Sequence, residues 1–146
     1  MTESGAPGPI LLVDDSDSDV ALTLRALRKH RLANEIVVAR DGVEALELLQ
    51  PEREPAGGRL VPRLIMLDLK LPRVGGIEVL RRLKDDERTR GIPVVVLTSS
   101  NQVPDIETCY RLGANSYIVK PVEFESFARA VSEIGMYWLL LNQPPG

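Results

Sequence analysis

Residues 62–72 read PRLIMLDLKLP, and the parsing of that stretch decides the fold. Pro62 bounds it, a strand is expected over 63–67, and after Arg63 residues 64–67 are continuously apolar rather than alternating with polar ones, as in a strand buried on both faces. The run stops at Asp68. Three more stretches share this plan: ILLVDD at 10–15, IPVVVLTSS at 92–100 and NSYIVKP at 115–121. Each is a short β-rich run that ends on residues with phosphate or metal chemistry, namely Asp14 and Asp15, Thr98, and Lys120. In an open parallel α/β sheet, ligands bind in the crevice at the carboxyl ends of the strands. Residues scattered from 14 to 120 are therefore expected to meet in one place.

Between these runs the apolar period lengthens to that of helices. Strand 10–14 precedes a helix over 17–30 with Val20, Leu24 and Leu27 on one face. A strand at 35–39 leads to Asp41 and Glu44, whose spacing resembles a capping box for a helix over 42–50. Residues 51–62 hold three prolines and two glycines and form a surface loop. Gly75-Gly76 open a helix to about residue 84, a strand covers 92–97, and a helix covers 104–112. Strand 115–119 is followed by a final long helix over 123–141. Five strands alternating with five helices predict an α/β protein whose parallel sheet is covered on both faces.

The composition sets outer limits. With 146 residues, 44% hydrophobic and 27% charged, the chain suits one soluble globular domain with a true core. That domain is expected over residues 9–141, after a disordered lead at 1–8 and before a tail at 142–146. A net charge of −3 speaks against nucleic acid as a direct partner. No apolar stretch reaches the roughly 18 residues of a membrane span. The first residues lack the charged lead and apolar core of a signal peptide, so a cytoplasmic location is expected. Cys109 is the sole cysteine, mid-helix beside Tyr110 and far from the sole histidine, His30; it reads as a buried small apolar residue rather than a nucleophile.

Three carboxylates brought into one crevice repel by about 4 kcal/mol per close pair at an effective dielectric near 20. A hard cation and an ammonium relieve that repulsion. Mg²⁺ takes about six oxygens and keeps several waters, so a few carboxylates and a carbonyl make a sufficient protein share. Phosphoryl transfer mostly requires positioning and charge stabilisation, which the same cation supplies. Ser99 is small and leaves Asp68 open to a donor.

In this order and at these strand ends, the residues resemble those of a bacterial response-regulator receiver domain, over residues 9–141. The resemblance implies a flavodoxin-like, doubly wound (βα)5 fold with a five-stranded parallel sheet in the order 2-1-3-4-5. It implies that Asp68 accepts a phosphoryl group from a histidine kinase. Asp15 and Asp68 would bind Mg²⁺ directly, with the Lys70 backbone carbonyl as a further ligand and Asp14 acting through water. The Thr98 hydroxyl would bond the phosphoryl oxygen, and Lys120 would pair with the acceptor and its phosphate. The Lys120-Pro121 bond would be cis. Thr98 moving inward would let Tyr117 rotate, changing the surface of the fourth helix, fifth strand and fifth helix. Lys70 and Ser100 would flank the path of an attacking water, and a Lys70 ammonium reaching the phosphoryl oxygens would make dephosphorylation slow.

Finer features narrow the resemblance. NEIVVARDGVEALELL at 34–49, IPVVVLTSS and the pair Tyr137-Trp138 are similar to the stand-alone regulators of bacterial and cyanobacterial phytochrome histidine kinases. The Asp14-Asp15 pair departs from the Glu-Asp often found in that group; either supports metal. Phe124, Phe127, Val131, Ile134, Trp138 and Leu141 follow helical spacing, and Tyr137, Leu139 and Leu140 widen the apolar surface. A homodimer through Ile134, Tyr137, Trp138 and Leu141 is expected, because exposed apolar patches with aromatic anchors mark interfaces. Two other readings compete with the switch. One is a Mg²⁺-dependent phosphohydrolase of the haloacid-dehalogenase type, disfavoured because Asp68 precedes Leu69-Lys70 and not a second acid. The other is a non-switching binding module, which would not need the acid cluster.

Overall fold

A continuous apolar strand feeds two cores at once, because successive side chains point to opposite faces of the sheet. The computed structural model describes residues 8–30, 32, 34–99, 103–136 and 139. Its elements are β1 (Ile10–Val13), α1 (Asp17–Lys29), β2 (Ile36–Ala39), α2 (Gly42–Leu49), β3 (Leu64–Asp68), α3 (Gly76–Asp85), β4 (Val94–Thr98), α4 (Val103–Leu112), β5 (Ser116–Val119) and α5 (Phe124–Glu133). On one face Leu11, Val13, Ile65, Leu67, Val94 and Val96 meet residues of α2, α3 and α4, among them Leu49, Leu80 and Cys109. On the other, Ile10, Leu12, Leu64, Met66, Val95 and Leu97 meet Val20 and Leu27 of α1 and Phe127 and Val131 of α5.

All four strand pairings are parallel, in the order β2-β1-β3-β4-β5. β1, β3 and β4 are buried throughout, as their unbroken apolar runs require. β5, at an edge, alternates buried and exposed residues. The chain leaves β1 to one side for β2 and returns to the other side for β3. The point where the order reverses therefore lies between the carboxyl ends of β1 and β3, beside Asp14 and Asp68.

Local chemistry sets the helix starts. Ser16 caps α1 by accepting from the Asp19 amide at 3.2 Å, and Asp17 and Asp19 place negative charge in the first turn. Asp41 caps α2 through the Glu44 amide at 2.7 Å. The Glu44 carboxylate reaches back to the Arg40 amide at 2.8 Å, one residue ahead of the cap, so the capping box closes one position earlier than the usual pattern.

The expected long helix over 123–141 is corrected: α5 stops at Glu133. Gly135 has φ +79°, and the Met136 amide donates to the Val131 carbonyl at 2.7 Å while the Gly135 amide donates to Ser132 at 3.1 Å. These two bonds are a Schellman stop, sealed by apolar contact of Met136 with the layer that holds Val131. Gly135 was the available signal, overridden by the apolar spacing around it. Leu139, expected to widen an exposed surface, is fully buried in the α1/α5 layer, and Ile134 packs partly buried against the same layer. Tyr137, Trp138 and Leu141, like Ser100 and both termini, lie outside the described residues.

Candidate functional site

Asp14 and Asp15 follow β1 directly, and Asp68 ends β3. Their parallel register, with Val13 opposite Leu67, brings oxygens of all three carboxylates within 4.8 Å of one another. Asp14 is fully buried and Asp68 nearly so, whereas Asp15 faces solvent. Lys120 leaves the end of β5, two strands from Asp68, and its ammonium reaches Asp68 Oδ2 at 3.0 Å and Asp14 Oδ2 at 2.9 Å. The Asp68 contact is a hydrogen bond. Asp14 Oδ2 is buried without a hydrogen-bond partner among the described residues and meets Lys120 as an ion pair.

Charge states follow from this packing. Burial pushes the Asp68 carboxyl above its ordinary 3.8; Lys120 and the Lys70 amide offset this, and the charge of Asp14 adds to it. Burial would lower the Lys120 ammonium, but Asp14, Asp19 and Asp68 outweigh it and hold the group above the usual lysine range. Lys120 thus faces more carboxylates than there are ammonium groups beside them.

The donor set suits a hard divalent cation. It is all oxygen, it carries excess negative charge, and it includes a buried oxygen with no hydrogen-bond donor among the described residues. Those are the preferences of Mg²⁺ and Mn²⁺ rather than of softer metals. The Lys70 amide donates to Asp68 Oδ1 at 3.3 Å, which turns the main chain of Leu69-Lys70 around the carboxylate.

The loop after β3 is fixed by close approach. A Cβ on Gly76 would lie 2.3 Å from the Asp68 carbonyl oxygen and 2.6 Å from Leu69 Cα. A Cβ on Gly42 would lie 2.1 Å from the Val74 carbonyl oxygen. Arg73, at φ 70°, donates to Asp41 Oδ2 at 3.2 Å. The segment that carries Asp68 is thus clamped between α3 and the start of α2.

Thr98 is nearly buried at the end of β4, one residue beyond the rung that pairs Leu97 with Asp68. The Lys120 amide donates to its carbonyl at 2.7 Å, and the Lys120-Pro121 bond is cis. Tyr117 points outward from β5 at 40% exposure, its ring edge-on to Tyr110 of α4 with centroids 6.1 Å apart. Lys70 has an exposed side chain. Cys109 is buried in the α2/α3/α4 layer, and His30 stacks on Phe124 beneath the opposite face of the sheet.

One residue of this cluster escaped the sequence reading. Asp19, in the first turn of α1, accepts from the Lys120 ammonium at 2.9 Å. The signal was its place four residues after Asp15, one helical turn on; a first-turn acid has a sufficient explanation in helix capping, which hid the second role.

The comparisons agree with this geometry. Residues 10–132 match the family model described as response regulator receiver domain. The chain is 44% identical over its whole length to the probable methanogenesis regulatory protein FilR2 of Methanothrix harundinacea, covering 93% of that protein. It is similar to the structure of the bacteriophytochrome response regulator RtBRR, with 47% identity, 95% of this chain and 84% of the other covered, and a TM-score of 0.83. It is also similar to the Mn²⁺-bound form of response regulator Rcp1, with 36% identity, 96% and 100% coverage, and a TM-score of 0.75; Rcp1 is a Synechocystis protein. With the 2-1-3-4-5 sheet and the carboxylate cluster at its switch point, the chain belongs to the response-regulator receiver family.

Proposed function

We propose that this protein is a single-domain switch that accepts a phosphoryl group on Asp68 from a phosphohistidine of a histidine kinase. The observation that carries the reading is the Lys120 ammonium 3.0 Å from Asp68 inside an oxygen-only carboxylate cluster. One Asp68 oxygen attacks phosphorus, the P–N bond breaks, and the imidazole leaves with a proton. Asp14, Asp15 and Asp68, with the Lys70 backbone carbonyl, would hold Mg²⁺. That ion would neutralise charge on the transferring group. Lys120 pairs with the acceptor and then with a phosphoryl oxygen, and the Thr98 hydroxyl bonds a second one. The protein assists its own phosphorylation and dephosphorylation without turning over a small-molecule substrate.

The readout we propose is a population shift. The phosphoryl group binds better to a packing with Thr98 drawn inward and Tyr117 turned from its present exposed position. Tyr110 would then lose its edge-on neighbour, and the α4–β5–α5 surface would change. Signalling proceeds by protein contact in the cytoplasm. The likeness to a bacteriophytochrome response regulator supports a phytochrome-type kinase as donor. A homodimer would use Ile134 with Tyr137, Trp138 and Leu141, now from a segment that follows the α5 stop rather than from one long helix. The domain spans residues 9–141, with a lead at 1–8 and a tail at 142–146.

Incubation with acetyl phosphate and Mg²⁺, followed by intact mass, tests the chemistry. The wild type should gain one phosphoryl group, and Asp68→Asn should gain none. Equal labelling of both would overturn the assignment. A kinase panel that includes phytochrome-type kinases tests the partner, and sedimentation at tens of micromolar tests the dimer.

A further inference from the structure

An ammonium has three N–H donors and no acceptor. Around Lys120 three carboxylate oxygens lie at 2.9–3.0 Å, belonging to Asp14, Asp19 and Asp68. Two of these acids belong to the carboxylate group that can share a cation; Asp19 does not. It approaches from α1, 101 residues away in sequence.

We infer that Asp19 is a positioning residue for Lys120, holding the ammonium against Asp68 during phosphoryl transfer; this rests on the receiver-site reading above. A dication engaged by Asp14, Asp15 and Asp68 draws on the same charges that hold Lys120 and repels the ammonium. Asp19 is the contacting carboxylate that such an ion leaves to Lys120. It is well placed to keep that partner. Its amide is fixed by the Ser16 cap at 3.2 Å, on the first turn of a helix whose Val20 and Leu27 are buried. Its carboxylate is partly exposed at 39%, whereas the lysine side chain is 11% exposed. The pair thus closes the solvent side of the ammonium. Capping by Ser16 uses the Asp19 amide and leaves its carboxylate free for this second task. After transfer, Asp68 Oδ2 no longer carries a full charge, so Lys120 turns one donor to the phosphoryl group while Asp19 retains another.

The test is a double-mutant cycle on the rate of Asp68 phosphorylation by acetyl phosphate at saturating Mg²⁺, with Mg²⁺ affinity measured separately by calorimetry. Saturation removes any general loss of cation attraction from the rate. Asp19→Asn should slow phosphorylation roughly fivefold, the upper end for a partly exposed ion pair. The effect should vanish in a Lys120→Met background, and Asp19→Glu should recover part of the rate. Asp17→Asn removes equal charge from the same helix turn, at a residue paired with Arg40 instead, and should behave as wild type. An Asp19→Asn rate equal to wild type, or an undiminished effect in the Lys120→Met background, overturns the inference. Failure of the wild type itself to bind Mg²⁺ or to be phosphorylated on Asp68 overturns the underlying reading instead.

Discussion

Gly75 and Gly76 are adjacent, yet alanine should have unequal effects at the two. At Gly75 an added Cβ meets nothing within 4 Å among the described residues, and φ is −69°, which any residue adopts. Gly75→Ala should change stability by less than about 1 kcal/mol, because the unfolded chain's lost freedom is set against alanine's weakness as the N-cap of α3. At Gly76 the same atom lies 2.3 Å from the Asp68 carbonyl oxygen, under the 3.0 Å that real Cβ atoms keep. The three nearest atoms are all backbone of Asp68 and Leu69, so no side chain can swing aside. Overpacking of this kind costs about 1–3 kcal/mol, and the helix-propensity gain of up to about 1 kcal/mol offsets only part of it. A net loss of about 1–2 kcal/mol lowers the melting temperature by about 4–8 °C in a domain of this size. Urea unfolding followed by circular dichroism measures both variants. Because the displaced atoms belong to Asp68, the folded Gly76→Ala protein should also phosphorylate more slowly. Two variants of equal stability, within about 0.5 kcal/mol, would refute the close-approach argument.

Three further outcomes follow from the same geometry. Mg²⁺ at a hundredfold excess over its dissociation constant should stabilise the fold by about 2.7 kcal/mol; Asp15→Asn should remove most of that gain in a melting scan, since Asp15 is one of the three clustered acids. Burial, with Asp105 adding to it, pushes the Cys109 thiol above its ordinary 9.0. The native protein should therefore react with a disulfide reagent at pH 8 only as fast as it opens, and full reaction within the mixing time would contradict this. The sign of the linkage is set by the same shift. The unfolded thiol ionises near 9.0 and the folded one only above it, so this group favours unfolding as pH rises past 9.0. Cys109→Ala should lose stability less steeply than wild type over that alkaline range in urea titrations.

Much of the architecture was legible because it is local. The strand runs around Leu12, Met66 and Val95 are apolar without interruption, and only a sheet covered on both faces buries such runs. Asp41 and Glu44 announced the start of α2 because a cap acts over three or four residues. The end of α5 was misread because six apolar residues at helical spacing outweighed one glycine. The turn at Gly135 places Met136 and Leu139 back in the core, where that spacing no longer measures a helix face.

By itself, the order of residues pointed to a parallel sheet covered on both faces and to the gathering of Asp14, Asp15, Asp68, Thr98 and Lys120 at one end, while the strand order rested on the resemblance to receiver domains. Runs apolar on both faces need a covered sheet, and parallel strands place their carboxyl ends on one side of it. Only the tertiary structure decided which glycine must remain bare and which acid holds the lysine. Gly75 and Gly76 differ in what lies across from them, and Asp19 meets Lys120 across 101 residues. Nothing local separates the two glycines, and the place of Asp19 one turn after Asp15 does not name its partner. Contact distance is a property of packed elements, and a charge on the first turn of a helix does not reveal which ammonium it faces.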